Sequence, residues 1–224
     1  MSKSVSFGRK VNLFFKRSFD IIFSLMMIAA LALPCAVVAL AVALDMHAGP
    51  FFTQDRVGRD GKLFRMIKFR TMTPDAPKDV PTYELQDAHK YITRLGNILR
   101  KTSIDEFPQL INILCGDMSF IGPRPVVPDE RTLNHLRLER GALRVRPGMT
   151  GWAQVHGRDR VTIVEKVEYD AYYADHCSIA LDINILVRTV ICLFTTKDIV
   201  EGENPAIRDH REAETPQNGK EKES

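Results

Sequence analysis

Cysteine is scarce in this sequence of 224 residues: Cys35, Cys115, Cys177 and Cys192 stand far apart, and no Cys-x-x-C pair occurs. That spacing excludes a zinc ribbon and a dense disulfide framework, and leaves small buried thiols in a reducing compartment. An excess of one charge is also lacking, because a net charge of +3 is too small to draw the chain to nucleic acid. No internal repeat is present, which excludes a solenoid. A hydrophobic share of 45% against a charged share of 26% excludes wholesale disorder.

What is present is one long apolar run. From Ile21 to Leu44 only Ser24 and Pro34 interrupt it. As a straight helix the run is roughly 36 Å long, enough to cross a bilayer, and it is longer than the core of a signal peptide. Pro34 sits near its centre, where the ring and the missing N–H oppose a straight helix. Lys3, Arg9, Lys10, Lys16 and Arg17 precede it, and Arg56, Arg59, Lys62, Arg65, Lys68 and Arg70 follow. Cytoplasmic flanks carry the Lys/Arg excess, so both ends ask for the same side. The expectation is a basic segment over 1–15, then a re-entrant membrane helix over 16–45 broken at Pro34. A kinked single span is the alternative that charge alone leaves open.

The remainder reads as a mixed α/β domain, predominantly helical, over 46–200, followed by a polar tail over 201–224 expected to be disordered. Phe51 to Met72 alternates around Gly58 and Gly61 like a hairpin. Helical periodicity marks Tyr83 to Arg100, Ile104 to Leu114 with Gly116 closing it, Arg131 to Arg144, Glu165 to Ala174, and the markedly apolar Asp182 to Phe194.

Chemistry concentrates at Asp105-Glu106. The pair stands at a predicted helix start, where backbone N–H groups and the helix dipole favour a bound phosphate. A divalent cation, Mg²⁺ above all, bridges carboxylates to phosphate oxygens, and one carboxylate can then attack phosphorus. The same residues also fit a capping box, Ser103-x-x-Glu106, so spacing leaves both readings open. Arg124 is fixed between Pro123 and Pro125 and suits bidentate phosphate binding; Arg65, Lys68 and Arg70 offer a similar basic strand. Arg137, Arg140, Arg144, Arg146, Arg158 and Arg160 form a band suited to anionic lipid head groups or a polyprenyl phosphate. His156 and Trp152 share a glycine-rich loop without metal-ligand spacing.

Together these blocks resemble the monotopic phosphoglycosyl transferases, or bacterial sugar transferases, over roughly Lys16 to Lys197. The resemblance rests on Lys16-Arg17-Ser18-Phe19-Asp20, Phe52-Thr53-Gln54-Asp55-Arg56-Val57-Gly58 and Lys68-Phe69-Arg70-Thr71-Met72. It continues through Arg100-Lys101-Thr102-Ser103-Ile104-Asp105-Glu106-Phe107-Pro108-Gln109-Leu110, Gly116-Asp117-Met118-Ser119-Phe120-Ile121-Gly122-Pro123-Arg124-Pro125 and Arg146-Pro147-Gly148-Met149-Thr150-Gly151-Trp152-Ala153-Gln154.

The resemblance implies that Asp105 is a nucleophile forming a phosphosugar-aspartate, that Glu106 assists, and that Mg²⁺ lies at the dyad on Asp105. It places Lys68, Arg124 and Asp170 around the site, with Arg146 and Arg158 as further phosphate-binding candidates. It implies a monotopic protein with interfacial amphipathic helices on the cytoplasmic face of the bacterial inner membrane. The implied reaction takes a UDP-sugar and undecaprenyl phosphate to a lipid-linked sugar diphosphate and UMP, initiating exopolysaccharide, capsule or O-antigen synthesis, with membrane lipids and a second copy as further partners. Two departures stand out. Leu33-Pro34 replaces the usual Ser-Pro, and Gly157-Arg158-Asp159-Arg160 lacks the Asn-Ala-Ile-Ser common with N-acetylated sugars, which favours a plain hexose. A membrane-bound nucleotide-diphosphate-sugar hydrolase and a non-catalytic membrane scaffold are the rival readings.

Overall fold

The structure is a computed structural model that describes residues 7–77, 88–157 and 161–195. Its longest element comes first: α1, Phe7–Met46, contains Pro34 and is helical throughout. Pro34 thus stands within the helix, with helical turns on both sides of it, and the helix starts well before residue 16. A proline removes one backbone donor and crowds one turn. Here the turns on both sides are held by packing: Met27, Ile28 and Leu31 against one core cluster, Cys35, Val38, Ala39, Val42 and Met46 against another.

Those contacts recur every three or four residues, the spacing of one helix face. The same face begins with Lys16, whose Nζ donates to Asp182 Oδ2 at 2.8 Å. Arg17 donates to the carbonyls of Ile113 and Leu114 at 2.7 and 2.8 Å. Asp20 accepts from Ser119 Oγ and the Phe120 N–H at 3.1 and 3.2 Å. Thus α1 lies against the rest of the chain from Lys16 to Met46. Its other faces leave Phe14, Ile22, Met26, Leu33, Val37, Leu40 and Leu44 exposed, and the helix is long and apolar enough to cross a membrane.

The expected hairpin forms as β1, Phe51–Val57, antiparallel to β2, Leu63–Phe69, with Phe52 opposite Lys68. The helix expected over Tyr83 to Arg100 is divided within the described residues into α2, Ala88–Tyr91, and α3, Arg94–Lys101. Ile92 instead bridges to Met72, and the Thr93 hydroxyl accepts from the Gly96 N–H at 3.0 Å, starting α3 afresh. The next expected helix also divides. Ile104–Glu106 is a 3₁₀ turn, and α4 runs Gln109–Cys115 behind Pro108, closed by Gly116 at φ 94°. Strand β3, Ser119–Ile121, pairs in parallel with β4, Gly148–Thr150.

Between these strands α5, Arg131–Glu139, ends at the left-handed Gly141, so the helix expected to reach Arg144 is shorter. A single turn, α6 over Trp152–Val155, leads to α7, Ile163–His176, which begins with a capping box of Thr162 and Glu165. The last described helix is α8, Ile179–Thr195. One side of α8 packs inward through Ile185, and the other exposes Ile183, Leu186, Val187, Val190 and Ile191.

Candidate active site

Asp105 and Glu106 share one 3₁₀ turn, set up by Ser103 in the left-handed region at φ 57°. Ser103 makes no side-chain cap hydrogen bond, so the capping-box reading is set aside and Glu106 is engaged elsewhere. Its Oε1 accepts from Lys68 Nζ at 3.1 Å and from an Arg124 terminal nitrogen at 3.0 Å. Burial pushes this carboxyl up, but Arg124 and Lys68, by charge and by hydrogen bonds, outweigh it and hold it at about 2.

Asp105 is in a different state. It is 8% exposed, and its carboxylate has no hydrogen bond or ion pair among the described residues. Burial raises its pKa and the Glu106 charge adds to that, against the lowering influence of Lys68, Arg100 and Arg124. Two adjacent acids are thus separated by environment, one clamped and strongly acidic, the other unclamped and more basic.

The supports for this arrangement come from several elements. The Asn112 amide of α4 accepts from the Ile67 N–H at 3.0 Å and donates to the Arg65 carbonyl at 2.8 Å. It thereby stitches α4 to β2 and brings Lys68 across from Glu106. Arg124 rides on a loop pressed against β4: a Cβ on Gly122 would stand 2.2 Å from the Arg146 carbonyl, and one on Gly148 would stand 2.1 Å from the Gly122 nitrogen. Only glycines permit that approach. The loop is also held from behind. Arg137, 1% exposed, donates to the Arg124 carbonyl at 3.0 Å and pairs with the equally buried Asp170 at 2.5–2.9 Å.

The resulting cleft is lined by Arg56, Met66, Lys68, Glu106, Gln109, Arg124, Pro125 and Gly148. Three cations and one carboxylate line it, and Asp105 stands on the same turn as Glu106 without being part of that lining, so the cleft's charge suits an anion carrying several charges, such as a diphosphate. For a divalent cation the chain offers the unclamped carboxylate of Asp105. No cluster of three or more acidic, His or Cys ligands exists among the described residues. This fits magnesium, which takes one or two carboxylates and completes its shell with substrate phosphates and water.

Of the residues expected at the site, Asp105, Glu106, Lys68 and Arg124 come together. Asp170 does not reach the cleft; it holds Arg137, which holds the Arg124 backbone. Arg146 is likewise elsewhere. Its Nε donates to the Gly116 carbonyl at 2.7 Å, so with Arg17 it satisfies the carbonyl end of α4. Burial and the charges of Arg59 and Arg17 lower its pKa. Arg158 lies outside the described residues. The reading from sequence gave Arg56, Arg100 and Gln109 no place at the site, and its lipid-facing arginine band is corrected at Arg137, which is buried and bonded to Asp170. Arg56, Arg100 and Gln109 stand inside the blocks that carried the resemblance, whereas nothing local marks Arg137.

The decisive comparison is with known families: the model for bacterial sugar transferases matches residues 11–196. The chain belongs to that family. This sugar transferase is 40% identical over 177 residues to a Bacillus subtilis relative called the uncharacterized sugar transferase EpsL, covering 78% of this chain and 85% of the relative. It is 38% identical over 194 residues to the UDP-glucose:undecaprenyl-phosphate glucose-1-phosphate transferase of Escherichia coli, covering 84% of this chain and 42% of that protein. It is 37% identical over 203 residues to the undecaprenyl-phosphate galactose phosphotransferase of Salmonella typhimurium, covering 81% and 41%. The chain thus spans most of the first relative and less than half of the two larger enzymes.

Proposed function

We propose that this sugar transferase moves a sugar 1-phosphate from a UDP-sugar to undecaprenyl phosphate and releases UMP, in the first membrane step of exopolysaccharide or capsule assembly. The observation that carries the reading is the division of labour within the acid pair. Glu106 is already neutralised by Lys68 and Arg124, so it organises cations for the diphosphate and is a poor nucleophile. Asp105 has unshared oxygens and a raised basicity, which suit attack on phosphorus.

In the first step an Asp105 carboxylate oxygen bonds to the phosphorus that bears the sugar, and the bond from that phosphorus to the bridging oxygen breaks. UMP leaves with the electron pair. In the second step a phosphate oxygen of undecaprenyl phosphate attacks the same phosphorus, the bond to Asp105 breaks, and the carboxylate is restored. Lys68, Arg124 and Arg56 balance charge on the phosphoryl oxygens. Mg²⁺ held by Asp105 and the diphosphate would supply further neutralisation of that charge.

A monotopic placement on the cytoplasmic face of the inner membrane fits this chemistry. The Lys/Arg excess flanks α1 on both sides, and both ends of α1 pack on one domain through Lys16 and Met46. A bend within the bilayer at Pro34 would satisfy both. The exposed apolar face of α8 suits the lipid interface, where an acceptor phosphate meets the cleft without leaving the membrane. The names of relatives specify glucose, galactose and, in Aeromonas hydrophila, N-acetylgalactosamine, so the hexose reading rests on the Gly157-Arg158 departure alone.

The test is an assay of the purified full chain with Mg²⁺, a panel of UDP-sugars, and undecaprenyl phosphate present or omitted. Sustained UMP release that requires the lipid, with a trapped adduct on Asp105 when donor is given alone, is the expected result. Continuous release of UMP and free sugar phosphate without lipid would instead establish a hydrolase.

A further inference from the structure

The geometry points to Gln109 as a donor-binding residue whose side-chain NH₂ donates to a phosphoryl oxygen of the nucleotide-sugar diphosphate. The inference rests on the transferase reading above and adds to it a neutral contact not needed for the charge balance. Gln109 is 2% exposed and lines the cleft together with Lys68, Glu106 and Arg124. Its amide makes no hydrogen bond among the described residues. The buried amide nearby is satisfied: Asn112, 3% exposed, uses both ends of its amide on β2.

An amide kept from water without a partner costs about 1–3 kcal/mol, and the great majority of such groups in folded proteins are paired. Gln109 escapes this in one direction only. Its amide atoms are not among the fully sealed, unpartnered atoms, whereas both amide atoms of Gln154 are. The open side of Gln109 is therefore the cleft. The amide is held in place by its position as the first residue of α4 between the buried Pro108 and Leu110. The neighbouring carboxylate of Glu106 already has two cationic donors. A ligand bringing acceptor oxygens between Lys68 and Arg124 would meet the Gln109 NH₂ as a third donor, one that adds direction without adding charge.

Two substitutions on the full chain in detergent test this, each read by thermal unfolding and by calorimetric titration with UDP in the presence of Mg²⁺. Gln109→Met keeps length and removes the donors. Gln109→Glu keeps shape and replaces the donor with an acceptor. The melting temperature of ligand-free Gln109→Met is expected to equal or exceed that of wild type, since no internal hydrogen bond is lost. Its UDP affinity should fall roughly 10-fold or more, the range for a hydrogen bond to a charged group, and that of Gln109→Glu further still. In turnover the donor KM should rise while the acceptor KM stays unchanged. Wild-type UDP affinity in Gln109→Met overturns the inference. So does a clear loss of melting temperature without ligand, because it would show that the amide is paired in the resting fold. If wild type binds UDP but transfers nothing to lipid, the transferase reading fails while the binding comparison still judges Gln109. If wild type transfers and Gln109→Met is indistinguishable from it, Gln109 alone fails.

Discussion

Replacing Glu106 by glutamine removes the anion that two cations share while preserving shape, so its cost can be worked from the site. The Glu106 carboxyl is held at about 2 against an ordinary 4.5. At about 1.4 kcal/mol per tenfold, that gap corresponds to roughly 3 kcal/mol of stability at neutral pH. Arg124 is 47% exposed, so solvent screening trims the figure to about 2 kcal/mol. Relief of Asp105, whose pKa is raised by burial first and by the Glu106 charge second, offsets a little more. For a chain of this size, about 2 kcal/mol lowers the melting temperature by roughly 4–8 °C.

The pH dependence carries the stronger test. The folded-state pKa of Glu106 lies below the unfolded one, so its contribution is fully present above 4.5 and disappears as pH falls toward 2. Melting curves of wild type and Glu106→Gln in detergent should therefore differ at pH 7, and the difference should shrink below pH 4.5 as the pH falls toward 2. A difference of constant size across that range, or none at pH 7, refutes the assignment of Glu106 as the clamped anion.

Other outcomes follow from the same geometry. Asp105→Asn should reduce transfer by about 10³-fold or more and leave the melting temperature equal or higher at neutral pH. The gain should shrink as pH falls, because the raised carboxyl of Asp105 is costly only while ionised; a large loss of stability would contradict its unpartnered state. Arg137→Ala strands the buried Asp170 and should cost about 3–5 kcal/mol, whereas Arg137→Met combined with Asp170→Leu should recover much of it, as thermal unfolding would reveal. Single cysteines introduced at Lys3 and Asp60 in a chain lacking its native cysteines should both resist a membrane-impermeant maleimide in intact cells and react after permeabilisation. Labelling of one but not the other in intact cells would establish a spanning α1.

Much of the fold was legible because local signals are strong. The apolar run of α1, the hairpin around Gly58 and Gly61, and the stop at Gly116 depend on near neighbours in sequence. The failures arose where distant packing decides. The helix expected over Tyr83 to Arg100 restarts at Thr93, because Ile92 bridges to Met72. Ser103 and Glu106 fit a capping box by spacing, yet Glu106 is taken by Lys68 and Arg124, and its partner Lys68 lies on another element. The same cause explains the site. The acid pair, Lys68 and Arg124 were visible as chemistry within motifs, but Asp170 was assigned to substrate when it serves Arg137, and Arg146 was assigned to phosphate when it caps α4. No pattern in sequence announces that one arginine reaches another's backbone through a buried aspartate.

The packing face of α1 has a consequence for how the enzyme can be handled and how it can evolve. Val42 and Met46 share a cluster with Phe69, Leu99, Ile104 and Phe107, directly beneath the turn that carries the two acids. The anchor is therefore also a foundation stone. A version truncated before β1 would lose the floor under the turn that carries Asp105 and Glu106, and exchange of this helix for an unrelated one would face the same loss. On the proposed function, whatever tilts or stretches the helix in lipid would be felt within one side-chain layer of Asp105 and Glu106.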